Sequence, residues 1–302
     1  MLKASIDLGT NTCLMLLAEV ESGQVTRALG DYARIIRLGE GVDQSKHLQS
    51  AAMERTLGCL AEYKSIITET GVKPDKVVCV ATSQAREARN GEEFFGRVEA
   101  ETGFRFKVIS GSDEARYTFI GSLLPGMDPS QYIVVDHGGG STEYADKKGG
   151  LSLDLGSVRF TERYLCSDPV TNEEFWNCYD KINYKLEELA AWRDSLNEDM
   201  QMIAVAGTAT TLASWHMGQR QYDASEIEKI MLTQEDLKLM VDKLRRRTVA
   251  ERRDKLGIEP GRADVLLAGA MVIWRTMEKL RFPCCRVSSR GLRYGVLLNA
   301  DF

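Results

Sequence analysis

The spacing of apolar residues divides the chain into two halves that open alike. Residues 4–8 read as a buried strand, 12–20 as a second and 24–29 as a third, joined by tight turns at Gly9-Thr10-Asn11 and Ser22-Gly23. A helix over 49–70, a strand over 77–81, a helical stretch through Phe94, Phe95 and Val98, a strand over 106–109 and a helix over 111–124 then give an α/β alternation with a mixed sheet. Pro125, Gly126 and Pro129 stop a helix and cannot extend a central strand, so a boundary is expected there.

After that boundary the pattern restarts. A strand over 132–135, the run Gly138-Gly139-Gly140, a strand over 141–145, a turn at 147–150 and a strand over 151–155 form a second meander. Phe175, Tyr179, Ile182, Leu186 and Leu189 recur at steps of three and four, the stripe of a helix facing a core. A strand over 202–205 runs through Gly207-Thr208 into another helix. Helices follow over 234–246, 249–256 and 262–280, then a short strand near Arg286 and Val287 and a last helix from about Gly291. The expected domains are 1–125 and 126–289, with the helix over 290–302 completing the first.

The two openings share more than strands. Ile6-Asp7-Leu8-Gly9-Thr10-Asn11-Thr12 and Val135-Asp136-His137-Gly138-Gly139-Gly140-Ser141 each read as strand, Asp, any residue, Gly, two turn residues and a hydroxyl residue. A tight Gly/Ser/Thr hairpin turns backbone N–H groups outward into an anion-binding concavity, and an Asp at the strand end can hold a divalent cation. Gly207-Thr208, at a third strand end before a helix, is another favourable phosphate position. Glycine for positive φ and Asp for turn bonding would explain either hairpin alone, but not both at the same place in each half.

Composition narrows the chemistry. The 302 residues are about twice a ~150-residue domain. The net charge of −5, from 39 Lys+Arg against 44 Asp+Glu, disfavours a surface built for nucleic acid or an anionic membrane. Seven scattered cysteines without C-x-x-C spacing suggest neither a disulfide framework nor a zinc knuckle, and three distant histidines leave little for a transition metal. Any metal should be a hard, oxygen-bound one. No signal peptide, membrane helix or lipidation motif is read, and a cytoplasmic location is expected.

Seven blocks resemble the exopolyphosphatase/guanosine pentaphosphate phosphatase (Ppx/GppA) family in order and spacing. They are Asp7 to Thr12, Ala81 to Asn90, Ile109 to Arg116, Asp136 to Glu143, Gly207 to Thr211, Arg262-Ala263-Asp264 and Val287 to Arg293. The resemblance covers essentially the whole chain. It implies the duplicated actin-like ATPase (ribonuclease H-like) α/β fold, with two domains around an interdomain cleft. It also implies hydrolysis of terminal phosphoanhydride bonds, with inorganic polyphosphate or guanosine pentaphosphate as substrate, no nucleic-acid or membrane partner, and a homodimer as the expected assembly. A superfamily kinase or ATPase would need an adenosine pocket for which the blocks give no sign; a polyphosphate or nucleotide sensor would bind without turnover.

Such hydrolysis needs an in-line water, charge neutralisation and a fixed terminal phosphate. Matching the family pattern, Glu114 is expected to orient and deprotonate the water; from position alone, Asp113 and Glu114 could equally complement a helix dipole. Asp7, Asp136 and Glu143 are the expected Mg²⁺ or water-positioning carboxylates, with Asp136 and Glu143 joining Glu114 as catalytic candidates. Gly9, Thr10, Asn11, Gly138, Gly139, Gly140, Ser141, Gly207 and Thr208, with Asp7, are expected around phosphate. The resemblance adds Arg86, placed with Arg89 on one helix face. Three residues depart from the family pattern: His137, either a buried neutral imidazole or an added donor near phosphate; Ala206, where a second glycine is usual; and Tyr294, where Glu is usual. The basic run from Arg245 to Lys255 reads either as solvated helices or as a track for a polyphosphate tail.

Overall fold

The computed structural model describes residues 1–219 and 223–299, and divides into two compact units, Met1–Ser122 with the segment from Arg290 on, and Leu123–Ser289. The first unit begins with β1 (Leu2–Leu8), β2 (Thr12–Glu21) and β3 (Gln24–Ile35), followed by α1 (Val42–Ser45) and α2 (Ser50–Thr70). Next come β4 (Val77–Ala81), α3 (Ser83–Glu87), α4 (Gly91–Thr102), β5 (Phe106–Val108) and α5 (Gly111–Ser122). Its sheet runs β3-β2-β1-β4-β5, antiparallel through the meander and parallel from β1 to β4 to β5. Alternation places Ala4, Ile6, Leu8, Cys13, Met15 and Leu17 on one face, where α2 covers them with Leu57, Leu60 and Tyr63. The Tyr63 hydroxyl is not left bare there: it donates to the Cys13 carbonyl at 2.9 Å.

The second unit repeats the plan. It comprises β6 (Tyr132–His137), β7 (Thr142–Asp146), β8 (Gly149–Leu153), α6 (Ser157–Tyr164), α7 (Asn172–Leu186), α8 (Ala190–Asp194) and β9 (Gln201–Val205). It continues with α9 (Ala206–His216), α10 (Ala224–Ile227), β10 (Met231–Thr233), α11 (Gln234–Arg245), α12 (Val249–Leu256), α13 (Leu266–Leu280) and β11 (Cys284–Val287). Its sheet order, β10-β11-β9-β6-β7-β8, read from β8 is again a meander followed by two parallel neighbours, with β10 added antiparallel on the edge. Helix α13 is apolar on nearly every side and is the centre of this core, while α7, α11 and α12 each start at a Thr capping box. The chain returns to the first unit in α14 (Leu292–Leu298). Two copies of one α/β sheet plan make this the duplicated actin-like ATPase (ribonuclease H-like) fold.

Several boundaries differ from the expectation. Strand β3 continues to Ile35 because it pairs along the whole of β2, with register shifts at Leu17/Ala18 and Glu19/Val20, although most of its side chains face solvent and carry no apolar pattern. The helix expected from 262 begins at Leu266, with Arg262 in the preceding turns. Strand β10, with three residues, was too short to stand out. Of the helix expected over 290–302, residues 300–302 lie outside the described residues. All seven cysteines are free, and burial pushes the Cys285 thiol up to about 12, so the Cys284-Cys285 pair is unreactive at Cys285.

Candidate active site

The duplicated hairpins share one closure. Gly9 N–H donates to the Thr12 carbonyl at 3.0 Å, and Gly138 N–H to the Ser141 carbonyl at the same distance. In both loops the carbonyls are then tied down from behind. Gly39 N–H binds the Thr10 carbonyl, and Ile36 and Arg37 N–H bind that of Asn11, all at 2.8–3.0 Å. In the second unit the first amides of α6 do the same work: Ser157 on the Gly138 carbonyl, Val158 and Arg159 on that of Gly139. Fixing the carbonyls on one side orients the peptide planes, and the amides of Thr10, Asn11, Gly139 and Gly140 donate to no protein acceptor among the described residues.

Three braces found only in the structure hold these loops. Gln84 accepts from Thr10 Oγ1 at 2.9 Å and donates to the Leu8 carbonyl at 2.8 Å, linking the turn after β4 to the first hairpin. Buried Arg159 donates through Nε to the Gly140 carbonyl at 2.7 Å. Gly156 lies so close that a Cβ there would stand 2.2 Å from the Gly139 carbonyl oxygen, so only glycine permits α6 to approach the triple-glycine loop. None of these has a local sequence signature, since each joins positions distant along the chain.

Arg86 and Glu114 meet. Arg86 Nη1 lies 2.8 Å from Glu114 Oε2 and also donates to the Ile109 carbonyl at 2.9 Å. Glu114 is 7% exposed, in the first turn of α5, and the bond from its own N–H to the Ser110 carbonyl sets that turn. Arg86 Nε and Nη2 have no protein acceptor among the described residues, so one edge of the guanidinium holds the carboxylate and the other is open to an anion. Arg89 does not share that helix face: α3 ends at Glu87, with Ala88 in an extended conformation, and Arg89 lies beyond it.

Asp136 and Glu143 are directly opposite across β6 and β7. Glu143 is 2% exposed, not a solvent-facing strand residue, and accepts from Ser152 Oγ at 2.7 Å. The matching position in the first unit, opposite Asp7, is Leu14. Among the described residues no group of three His, Cys, Asp or Glu forms a metal site by itself. A cation that takes one or two carboxylates and fills its shell with water and phosphate nevertheless fits the donors of each unit taken by itself: the facing carboxylates of Asp136 and Glu143 in the second, and in the first Asp7, with the buried Asn11 Oδ1 an acceptor without a hydrogen-bond partner.

His137 resolves to the first of its two readings. It is fully buried, and desolvation pushes its pKa down to about 3. Nδ1 lies 2.7 Å from Thr142 Oγ1, whose one proton goes to the Leu155 carbonyl, so Nδ1 is the donor and Nε2 carries the lone pair. It offers no proton to phosphate.

At the third loop, α9 begins without a side-chain cap, which leaves its first-turn amides for a ligand. Ala206 there has φ +71°, the left-handed conformation that suits glycine. Arg262, given no role from the sequence, packs its guanidinium on Gly207, where an added Cβ would meet Nη1 at 1.9 Å. The Arg245–Lys255 run is largely occupied locally: Arg245 and Arg246 pair with Asp242, Arg253 with Asp254, Lys255 with Glu251, and buried Arg252 donates to the carbonyls of Leu244 and Ala263. Tyr294 is buried in the first unit beneath Arg290 and Arg293, at 4.4 and 5.1 Å from its ring centroid. No described helix is long and apolar enough to cross a membrane.

Comparison with known proteins places this arrangement. The Ppx/GppA phosphatase family matches residues 16–300. Exopolyphosphatase 2 of Mycobacterium tuberculosis is 34% identical over 291 residues, covering 92% of this chain and 90% of the relative. A bifunctional 3-dehydroquinate synthase/phosphatase of Fusobacterium nucleatum is 32% identical over 99% of this chain, which spans about half (46%) of that relative's length. A crystal structure of an exopolyphosphatase-like protein superposes with a TM-score of 0.90 at 33% identity, covering 98% of this chain and 96% of the other. The Aquifex aeolicus PPX-GPPA enzyme does so with 0.80 at 33% identity, covering 99% of both. With the family matched over nearly its whole length and the hairpin duplication intact, the chain belongs to the Ppx/GppA phosphatase family and is an exopolyphosphatase-like hydrolase.

Proposed function

We propose that the chain removes terminal phosphate from inorganic polyphosphate. The observation that carries this reading is the repeated hairpin, whose carbonyls are fixed from behind while its amides are left for an acceptor rich in oxygen. Such a loop grips phosphate without a basic surface, which suits a chain of net charge −5. The names of the mycobacterial exopolyphosphatase relatives support the substrate.

In this reading Glu114 takes the proton of the attacking water, held in place by Arg86, whose other edge meets the terminal phosphate. The amides of Thr10, Asn11, Gly139 and Gly140, with Gly9, Gly138, Ser141, Gly207 and Thr208 around them, bind phosphate oxygens. The carboxylates that would hold Mg²⁺ are Asp136 and Glu143 within the second unit and Asp7 within the first. When bound, that ion neutralises charge on the phosphate oxygens. The test is phosphate release from polyphosphate and from guanosine pentaphosphate, each with Mg²⁺ and with chelator. Faster release from polyphosphate is expected; preference for the nucleotide would move the assignment to guanosine pentaphosphate, and no release from either would refute it.

A further inference from the structure

The second unit contains a polar pair where the first is apolar. The hairpin pairing sets His137 opposite Thr142 as it sets Leu8 opposite Cys13. Leu8 and Cys13 are fully buried, so apolar packing suffices at this position, and a buried imidazole there needs a reason. One nitrogen has its partner: Nδ1 donates to Thr142 Oγ1 at 2.7 Å. The other does not. Nε2 is a buried acceptor with no hydrogen-bond partner, and such groups are uncommon in folded proteins.

What Nε2 faces is informative. Gly269 of α13 has no side chain at that point. A Cβ on it would stand 3.2 Å from His137 Nε2 and 2.8 Å from Thr208 Oγ1, so the lone pair and the hydroxyl both pack against this glycine and lie within about 6 Å of each other. Thr208 is in the first turn of α9, directly after β9, the strand parallel to β6. In the first unit the corresponding turn, after β4 and beside β1, is joined to its hairpin by Gln84, through Thr10 Oγ1 and the Leu8 carbonyl. Both units thus have a polar side chain where the hairpin meets the turn of the neighbouring parallel strand.

We propose that His137 is a positioning residue that joins the two glycine turns of the second unit, its Nε2 accepting a hydrogen bond from the Thr208 hydroxyl, directly or through one water. The Thr208 proton then points at the imidazole, and Thr208 meets phosphate through its backbone N–H. The bond makes the triple-glycine loop and the start of α9 move as one body, so its loss loosens substrate binding more than it slows the chemical step. This effect on binding rests on the phosphate-gripping role proposed above; the hydrogen bond itself does not.

The test is ¹⁵N spectroscopy of the protein labelled at histidine, with steady-state kinetics alongside. Three histidines make the assignment direct, because the His137 pair of resonances is the one missing from His137→Leu. The expected spectrum has a protonated Nδ1 and an unprotonated Nε2 shifted upfield of a free lone pair; Thr208→Ser keeps that shift and Thr208→Val removes it. On polyphosphate, His137→Leu is expected to raise KM about tenfold with kcat within about threefold, and adding Thr208→Val to it should raise KM little further. A proton on Nε2, an Nε2 resonance indifferent to Thr208→Val, or KM effects that multiply would each overturn the proposal. The spectrum reads the bond whether or not the protein hydrolyses polyphosphate, so failure of the brace and failure of the substrate assignment are told apart.

Discussion

Arg86 Nη1 and Glu114 Oε2 stand 2.8 Å apart, joining the turn after β4 to the first turn of α5. The residue expected at phosphate and the residue expected at water are therefore one unit, and the ion pair fixes where the carboxylate points. Glu114→Gln keeps the shape and removes the base. Turnover should fall at least ~100-fold with the circular dichroism spectrum unchanged, and near-normal phosphate release would remove Glu114 from the chemistry.

Arg159 is buried and donates through Nε to the Gly140 carbonyl. A charged donor on a buried carbonyl contributes about 1.5–3 kcal/mol, and its removal also leaves that carbonyl without this partner. Arg159→Met, which retains much of the packing, should lower stability by roughly that amount in urea titration and raise KM for polyphosphate. An unchanged KM would mean that the loop is held well enough by the α6 amides alone.

Ala206 holds a left-handed conformation that costs a residue with a Cβ about 1–2 kcal/mol. Ala206→Gly relieves this but loosens the unfolded chain, an opposing effect of about 0.4–1 kcal/mol. The net expectation is a gain of between zero and about 1.6 kcal/mol in thermal or urea unfolding. A loss would show that other contacts made by the methyl outweigh the backbone cost.

Glu174 closes the capping box of α7 and also receives the N–H groups of Cys166 and Ser167. Burial pushes its pKa up, but the bonds from Thr171 and Ser167 outweigh this and hold it below the usual value of 4.5. The folded protein thus binds this proton less readily than the unfolded chain, so the stabilisation is complete above pH 4.5 and is lost as pH falls through the lowered value. Glu174→Gln should cost about 1 kcal/mol at neutral pH and progressively less in acid. A difference independent of pH would show that the charge is not what matters.

Much of the fold was legible because it rests on local signals. Period-two strands, Gly-bearing turns and the Pro125–Pro129 break are written in neighbouring residues, and the hairpin motif occurs twice. What was hidden depends on partners far along the chain. The outer half of β3 is specified by the backbone of β2, not by its own side chains. Arg89 left the expected helix face because α3 stops after five residues. At the site the turn residues could be found from spacing, but Gln84, Arg159 and Gly156 act by touching loops that nothing in their own neighbourhood announces. The orientation of His137 follows from a single proton on Thr142, which no sequence pattern records.

The first unit is interrupted: Ser5 Oγ donates to the Arg293 carbonyl at 2.7 Å, the Arg293 guanidinium grips Asp31 at 2.7 and 2.8 Å, and Leu16, Ala18 and Val20 pack beneath Tyr294 and Leu297. A ribosome releases the opening strands long before the helix that covers them exists. The second unit is continuous in sequence, whereas the N-terminal sheet has one apolar face open until α14, made after the whole second unit, is available to cover it. The order of synthesis is therefore not the order of completion, and the earlier-made half is the one whose apolar face stays uncovered longer.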